Sequence, residues 1–285
     1  MTIERVVARA PAKINWTLEV LGKREDGYHE VRTELQTIDL CDTVMLTHAD
    51  SIELEITGDC AALADEPVED NLAYRAAALL MDRCGYAGGV RIALEKRIPV
   101  AAGLGGGSSD AAAVLRGLRA LWQLDLTDDD LIRTAADLGS DVPFFVFGGR
   151  ARATGRGEQI QPLPDAPPQE IVIGVPPGRP AGKTARMYAA LRAEHMGPAT
   201  AAGGMYNAFA QVLAEVDNDT ATLMRRATRL TRMTPHLCGA GPSFFFLVSS
   251  EQVAPTAGAL VDLGLRAIAT RTVTAAEATA LSIDG

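Results

Sequence analysis

The chain has 285 residues, of which 47% are hydrophobic and 22% are charged, and its formal net charge is −9 at pH 7. This length can bury one large core or two smaller ones, and the composition excludes a disordered or fibrous protein. The acidic balance argues against a nucleic-acid binder, which usually presents a basic face. An acidic protein with an anionic substrate must gather its positive groups in one place.

The cysteines and the N-terminal residues indicate the compartment. Cys41, Cys60, Cys84 and Cys238 form no CxxC pair and have no histidine cluster beside them, so neither a zinc site nor a disulfide framework is expected. Scattered thiols suit a reducing compartment. The N-terminal text MTIERVVARAPAK is not a secretory signal, and the apolar run Phe244–Val248 is too short to span a bilayer. We therefore expect a cytoplasmic protein without a membrane partner.

The first part of the chain consists mainly of predicted strands, which are rich in Val, Ile, Leu and Thr and partly alternate in polarity. They cover residues 4–10, 14–20, 31–47, 52–57 and 90–98. Helices are predicted over residues 71–84 and 109–122, and a third begins near Thr127. Asp70 or Asn71 can cap the first of these helices, and Thr127 is a plausible cap for the third.

The second part mixes strands and helices without strict alternation. The Gly- and Arg-rich residues 151–158 predict a turn, and the proline-rich residues 162–168 predict a domain boundary. Strands are then predicted at Glu170–Val175, 235–238, Phe244–Val248 and 266–273, and helices at 184–192, 206–216, 220–230 and 252–263. This order favours an α+β fold over a doubly wound parallel sheet.

A glycine loop joins the predicted strand at 90–98 to the predicted helix at 109–122. It reads PVAAGLGGGSSD from Pro99 to Asp110. Because glycine has no Cβ, its backbone can take positive φ and approach a ligand closely, and the N–H groups at a helix start attract phosphate. A flexible turn is the alternative, but the strand–glycine–helix context predicts a nucleotide phosphate site. Its predicted contacts are Pro99, Gly103, Leu104, Gly105, Gly106, Gly107, Ser108 and Ser109.

Ser108 and Asp110 lie at the end of the glycine loop, and residues 178–184 form a second candidate loop. The hydroxyl of Ser108 can cap the helix, bind phosphate or contact a metal. The carboxylate of Asp110 would repel a phosphate, so we expect it to point away or to have a divalent cation between it and the phosphate. Residues 178–184, GRPAGKT, resemble a Walker A motif, but three residues separate Gly178 from Gly-Lys where four are required, and Pro177 occupies the required position.

The text GLGGGSSD at 103–110 resembles the phosphate loop of the GHMP kinase superfamily. Further stretches are similar to the branch of that superfamily that acts on cytidine diphosphate-linked methylerythritol. They are APAKIN at 10–15, GKREDGYH at 22–29, GSDVPF at 139–144 and LCGAGPS at 237–243. There are departures from the family pattern: Ala101 and Ala102 stand where the family often has glycine, and Gly182-Lys183-Thr184 replaces a Ser-Thr pair, which weakens any role for Thr184.

The resemblance implies a two-domain α+β fold with the active site in the cleft. Residues 1–160 would form a ribosomal-S5-like, ATP-binding domain, and residues 161–285 a ferredoxin-like domain on the substrate side. The implied reaction transfers the γ-phosphate of ATP, with Mg²⁺, to a hydroxyl of the cytidine-linked substrate, giving a 2-phosphate for non-mevalonate isoprenoid synthesis. The alternatives are a GHMP kinase for another alcohol and a non-enzymatic RNA binder of S5-like fold.

The resemblance also implies two catalytic residues and one neighbour. Asp141 would accept the proton of the substrate hydroxyl, although a plain helix N-cap would also explain it. Lys13 would orient Asp141 and stabilise the charge on the transferring group, whereas lysines without such a role are usually solvated. Strand alternation places Asn15 on the same face as Lys13, where it could bind the substrate.

The resemblance also implies that three more residues bind the cytosine of the substrate or the adenosine of ATP. Tyr28 and His29 follow Gly27 in a polar loop, where aromatic rings can stack on a cytosine. A tyrosine covering the sheet edge and a surface histidine are the alternatives. Asn71 resembles the adenosine-contacting position of the family, and an ordinary helix cap is the alternative reading.

Overall fold

The computed structural model describes residues 3–63, 66–178, 182–199 and 204–285. The strands are β1 (Arg5–Lys23), β2 (His29–Ala49), β3 (Ile52–Gly58), β4 (Gly89–Lys96), β5 (Arg150–Thr154), β6 (Gln159–Leu163), β7 (Glu170–Val175), β8 (Tyr206–Asn207), β9 (His236–Leu237), β10 (Phe244–Val248), β11 (Arg266–Arg271) and β12 (Leu281–Asp284). The helices are α1 (Leu72–Cys84), α2 (Gly106–Leu121), α3 (Asp128–Leu138), α4 (Val142–Phe147), α5 (Lys183–Ala190), α6 (Leu213–Val216), α7 (Asn218–Thr231), α8 (Val253–Asp262) and α9 (Ala275–Ala278). This mixture confirms the α+β class.

The first sheet has the strand order β12-β1-β2-β4-β3, and β5, β6 and β8 extend it at β2 and β1. Strand β1 is one long strand where two were predicted, at 4–10 and 14–20. Bulges interrupt its pairing with β2 between Pro11 and Lys13 and between Asn15 and Thr17. Pro11 has no N–H to donate, and a bulge bends the strand without ending it.

The second sheet has the order β11-β7-β10-β9. Residues of β7 and β10 pack against the first sheet. Phe245 lies in a buried cluster with Ile14 of β1 and Leu104 of the glycine loop. Phe244 and Phe246 face the other way, towards α7 and α8. Full burial of each ring contributes about 1.5–3 kcal/mol. These contacts hold the glycine loop at the junction of the two sheets.

Helix α2 begins at the glycine loop and runs buried across the first sheet. The guanidinium of Arg116, which is also buried, donates to the backbone oxygen of Arg9 at 2.7 Å and to that of Phe145. These bonds tie α2 to β1 and α4, so the N-terminus of α2 is fixed relative to both. None of the described helices is long and apolar enough to cross a membrane.

Most predicted elements are confirmed, but two predictions are wrong. The helix predicted at 206–216 is replaced by β8, a 3₁₀ turn at Ala208–Gln211 and the short helix α6. The side chain of Asn207 donates to the backbone oxygens of Leu237 and Gly239 and accepts from Phe209, which draws the chain towards the sheet. Residues 151–158 are not all turn, because β5 continues to Thr154 with alternate alanines buried.

The sequence did not indicate β6, α9 or β12, which are short, and it indicated α4 only through the alternative reading of Asp141 as a helix N-cap. The last of these, β12, pairs with β1, so the C-terminal end of the chain joins the first sheet. The predicted boundary at 162–168 overlaps the end of β6. The division into domains 1–160 and 161–285 stays a prediction. Residues 179, 180 and 181 of the Walker-like text lie outside the described residues.

Candidate active site

The glycine loop has the geometry of an anion site. Helix α2 begins at Gly106, three residues before its predicted start, and its first intrahelical acceptor is the backbone oxygen of Gly105, bonded by the N–H of Ser109 at 3.0 Å. The N–H groups of Gly106, Gly107 and Ser108 therefore have no intrahelical acceptor. Together with the helix dipole they form a site suited to phosphate.

Two glycines of the loop cannot be replaced without moving their neighbours. Gly103 has φ 80° and Gly105 has φ 76°, a region that residues with a Cβ rarely adopt. A Cβ on Gly103 would lie 2.2 Å from the backbone oxygen of Cys238, and one on Gly105 would lie 2.7 Å from the ring of Phe145. The loop can therefore make this close approach only with glycine at both positions.

Ala101, where the resemblance leads one to expect glycine, also has positive φ, 56°. An alanine in this region is strained, so we expect Ala101→Gly to raise the free energy of unfolding by about 1 kcal/mol. The neighbouring Ala102 is buried and its φ is not positive, so Ala102→Gly should lower stability. Thermal or urea unfolding measures both variants, and a loss of stability in Ala101→Gly would contradict the assigned strain.

A cavity of about 340 Å³ lies in front of the loop. Its lining includes Asn71, Leu72, Lys96, Pro99 and residues 101–108. Asn71 is the N-cap of α1, because its side chain accepts from the N–H of Ala73 at 2.9 Å. It thus fills the capping role and also borders the cavity in which a nucleotide would lie.

Asp110 borders the cavity, but one of its carboxylate oxygens is paired with a lysine. Its carboxylate accepts from Lys96 Nζ at 2.5 Å, and the same ammonium bonds Asp42. All three side chains are buried. Burial opposes the charge of Lys96, but the two carboxylates outweigh it and raise its pKa. Burial raises the pKa of Asp110, and Lys96 partly offsets this.

A second cavity, of about 190 Å³, shares Gly103 and Gly105 with the first. Lys13, Asn15 and Asp141 all line it, so residues distant in sequence meet here. Lys13 Nζ is buried and donates to Asn15 Oδ1 at 2.9 Å rather than to Asp141. The glycine loop therefore separates the first cavity from one lined by an ammonium and a carboxylate.

Asp141 occupies the N-cap position of α4, but its side chain makes no capping hydrogen bond. The buried residues that follow it, including Phe144 and Phe145, fix α4 in the core. The half-buried carboxylate lies beside Gly157, where a Cβ would come within 3.9 Å of Asp141 Oδ1. Its oxygens are thus available to accept a proton from a ligand in the second cavity.

The aromatic residues implied in substrate binding lie next to this cavity rather than in its lining. Tyr28 is 55% exposed, and the guanidinium of Arg156 covers its ring at 4.8 Å. His29 stacks on Tyr188 with ring centroids 4.7 Å apart. Burial, with a smaller contribution from the charge of Asp141, raises the pKa of Tyr188 to about 12, so its hydroxyl stays protonated.

Sequence reasoning missed four polar residues of the lining. Arg156, Tyr188 and Thr33 contribute directly to it, and Thr184 does so although its role had been discounted. Arg156 lies in the turn GRG, which was interpreted as a turn only. Tyr188 lies on α5 without any motif around it, so no local signal could have identified it.

The C-terminal glycine motif at 237–243 packs on the phosphate loop. Ser243 donates its N–H to the backbone oxygen of Ala102 at 3.3 Å, and Gly239 donates its N–H to Asn15 Oδ1 at 3.1 Å. The motif therefore hydrogen-bonds to the glycine loop and also lines the second cavity. Nearby, the buried Lys183 Nζ donates to Asp217 at 2.6 Å.

Comparisons with known proteins identify this arrangement. The model of the GHMP kinases N terminal domain matches residues 71–149. The 4-diphosphocytidyl-2-C-methyl-D-erythritol kinase of Bacillus cytotoxicus is 42% identical over 262 residues, covering 87% of this chain and 89% of that protein. The enzyme of the same name from Bacillus pumilus is 41% identical over 260 residues, covering 87% of this chain and 89% of that protein.

Solved structures agree with the sequence relatives. A crystal structure of 4-(cytidine 5′-diphospho)-2C-methyl-D-erythritol kinase superposes with a TM-score of 0.80 at 35% identity, covering 93% of this chain and 98% of that one. A homoserine kinase from Cytophaga hutchinsonii, at 17% identity and a TM-score of 0.68, covers 100% of this chain and 98% of that one and shows the shared fold alone. The chain has the GHMP kinase fold and belongs to the 4-diphosphocytidyl-2-C-methyl-D-erythritol kinase family of ATP-dependent kinases.

Proposed function

We propose that the chain transfers the γ-phosphate of ATP to a hydroxyl of 4-diphosphocytidyl-2-C-methyl-D-erythritol, giving the 2-phosphate in non-mevalonate isoprenoid synthesis. The observation that carries this proposal is the pair of cavities that meet at Gly103 and Gly105. A nucleotide in the first would present its terminal phosphate to an alcohol in the second. The family relationship supports the choice of alcohol.

The catalytic roles follow from charge and position. Phosphoryl transfer has a loose transition state, so positioning and charge stabilisation contribute most of the catalysis. Lys13, whose ammonium is buried in the wall of the second cavity, would stabilise the charge on the transferring group. Asp141 would accept the proton of the substrate hydroxyl, since its side chain is not engaged in capping.

Mg²⁺ would be held mostly by the phosphates. Among the described residues no three acidic, histidine or cysteine side chains lie together as a metal cluster. Mg²⁺ in kinases commonly takes one or two protein ligands besides phosphate oxygens and water, and this requirement fits the loop. Ser108 borders the nucleotide cavity, and Asp110 has one buried oxygen, Oδ1, without a hydrogen-bond partner. When bound, the ion would neutralise charge on the β- and γ-phosphates.

The cytidine end of the substrate would lie between the aromatic residues and Arg156. Tyr188 and Arg156 line the second cavity, and Tyr28 and His29 contact these two residues from outside it. A cytosine can stack on such rings, and the guanidinium can face the substrate diphosphate. Asn15 keeps one Nδ2 proton available for the substrate, because its other polar contacts are made within the protein.

We expect Tyr28→Ala to raise KM for the cytidine-linked substrate by about tenfold and to leave KM for ATP unchanged, since one stacked base is worth about 1–3 kcal/mol. Steady-state kinetics with each substrate varied in turn measures both constants. Tyr86→Ala removes a ring that stacks on Trp122 at 4.1 Å, away from both cavities, and serves as the matched control. Equal increases in the two constants would count against cytosine stacking.

The overall reaction is tested by incubating the chain with ATP, Mg²⁺ and the cytidine-linked substrate and identifying the product by phosphorus NMR. Homoserine and mevalonate, offered separately, test the alternative of another GHMP kinase. Phosphorylation of either alcohol in preference to the cytidine compound would overturn the proposed substrate. A filter-binding assay with RNA tests the non-enzymatic alternative.

A further inference from the structure

A chain of hydrogen bonds runs from Lys13 into the first sheet. Lys13 Nζ donates to Asn15 Oδ1 at 2.9 Å, and Asn15 Nδ2 donates to the hydroxyl of Thr33 at 2.8 Å. That hydroxyl donates to the backbone oxygen of Thr17 at 2.6 Å. Lys13, Asn15 and Thr33 are all at least nine-tenths buried. We propose that Thr33 is a positioning residue that holds Lys13 in place through the side-chain amide of Asn15.

The donor and the acceptor of each hydrogen bond in this series are determined by the groups at its two ends. The ammonium of Lys13 and the N–H of Gly239 can only donate, so the atom of Asn15 that both contact must be its oxygen. The backbone oxygen of Thr17 can only accept, so the single proton of the Thr33 hydroxyl points to it. The hydroxyl oxygen then accepts from the Asn15 NH₂ group. The side-chain amide of Asn15 therefore cannot be flipped without placing its NH₂ group against other donors.

Loss of the Thr33 hydroxyl would remove this constraint. A buried NH₂ group that loses its acceptor is destabilised, so the amide of Asn15 would shift to find another partner. This shift breaks the bond to Lys13 Nζ and releases the ammonium from its position. Because about 1 Å of misplacement can cost about 10²-fold in rate, the effect should appear in turnover.

This inference rests on the proposed role of Lys13 and predicts a specific pattern for Thr33→Val. The isosteric change should lower kcat by about 10–100-fold and leave KM for ATP unchanged, because the nucleotide cavity is untouched. Thr33→Ser, which keeps the hydroxyl, should restore most of the activity. If Thr33→Val does not fold, Thr33→Ala carries the same test.

Thr134→Val is the matched control. Thr134 is also a buried threonine whose hydroxyl accepts from a side chain, Arg83 Nη1 at 2.8 Å, and donates to a backbone oxygen, that of Asp130 at 2.9 Å. It lies on α3 and lines neither cavity. A general loss of buried hydrogen bonds would affect both variants alike, whereas a positioning role affects kcat only in Thr33→Val.

A double-mutant cycle with Lys13→Met separates the possible outcomes. Single-turnover rates are measured with enzyme in excess. Thr33→Val should lower the rate of the otherwise wild-type enzyme but should hardly lower the rate of Lys13→Met further. Additive effects, or a wild-type rate for Thr33→Val beside a slow Lys13→Met, would overturn the role of Thr33 alone. A wild-type rate for Lys13→Met would instead overturn the proposed function of Lys13.

Discussion

Asp141→Asn is expected to lower kcat by about 10²–10⁴-fold, the usual scale for the loss of a general base. The amide has nearly the shape of the carboxylate but cannot accept the proton of the substrate hydroxyl. Since the Asp141 side chain makes no capping bond, the change should leave the stability of α4 almost unaltered. Stability and turnover should therefore respond differently to this substitution.

The experiment compares kcat and the unfolding midpoint of Asp141→Asn with those of Asp137→Asn. Asp137 is a neighbouring acid on α3 that pairs with Arg83 at the surface and lines neither cavity. Both values should stay near wild type in that control. Near-normal turnover in Asp141→Asn would remove it from the catalytic role, and a large loss of stability without loss of specific activity would favour the helix-cap interpretation.

Gly103→Ala should have the second large effect, because it should lower both the stability of the protein and kcat/KM for ATP. The new Cβ would lie 2.2 Å from the backbone oxygen of Cys238, at a residue with φ 80°. Strain in this region costs about 1–3 kcal/mol, and overpacking costs a similar amount. Because the obstructing atom belongs to the backbone, the phosphate loop itself must shift, and we expect kcat/KM for ATP to fall by about 10²-fold or more.

Gly85→Ala separates backbone strain from steric overlap. Gly85 also has positive φ, 59°, but a Cβ there meets no atom within 4 Å. Gly85 is the C-cap of α1. Gly85→Ala should lower the free energy of unfolding by only about 1–2 kcal/mol and leave the kinetics unchanged. Urea unfolding and ATP titration of the two variants give the comparison. A Gly103→Ala variant that matched Gly85→Ala in both measurements would show that the loop does not need this close approach.

The two-cavity arrangement explains why the two substitutions should affect different steps. Gly103 and Gly105 form the boundary between the nucleotide cavity and the cavity lined by Lys13 and Asp141. A shift in this boundary changes the distance between the terminal phosphate and the acceptor hydroxyl. Asp141→Asn leaves the boundary in place and removes only the proton acceptor, so it should affect kcat more than the binding of ATP.

Short-range signals in the sequence predicted much of the fold. Asp70 or Asn71 was predicted to cap α1 and Thr127 to cap α3, and the side chains of Asn71 and Thr127 each accept a hydrogen bond from the first turn of the helix. The glycine loop was recognised because its strand, glycines and helix follow one another within a few residues. The helix predicted at 206–216 failed because Asn207 bonds to residues about thirty positions away, which no local window contains.

The sequence by itself determined the glycine loop, since the backbone freedom of glycine and the free N–H groups of a helix start are properties of adjacent residues. Only the tertiary structure decided which side chains meet in front of that loop. Lys13, Asp141 and Tyr188 come together because β1, α4 and α5 pack around one cavity, and the hydrogen bonds of Thr33 depend on the register of β1 with β2. Packing between distant segments has no signature in local composition, so Tyr188 and Thr33 could not be predicted from the order of residues, and only the family resemblance placed Lys13 with Asp141.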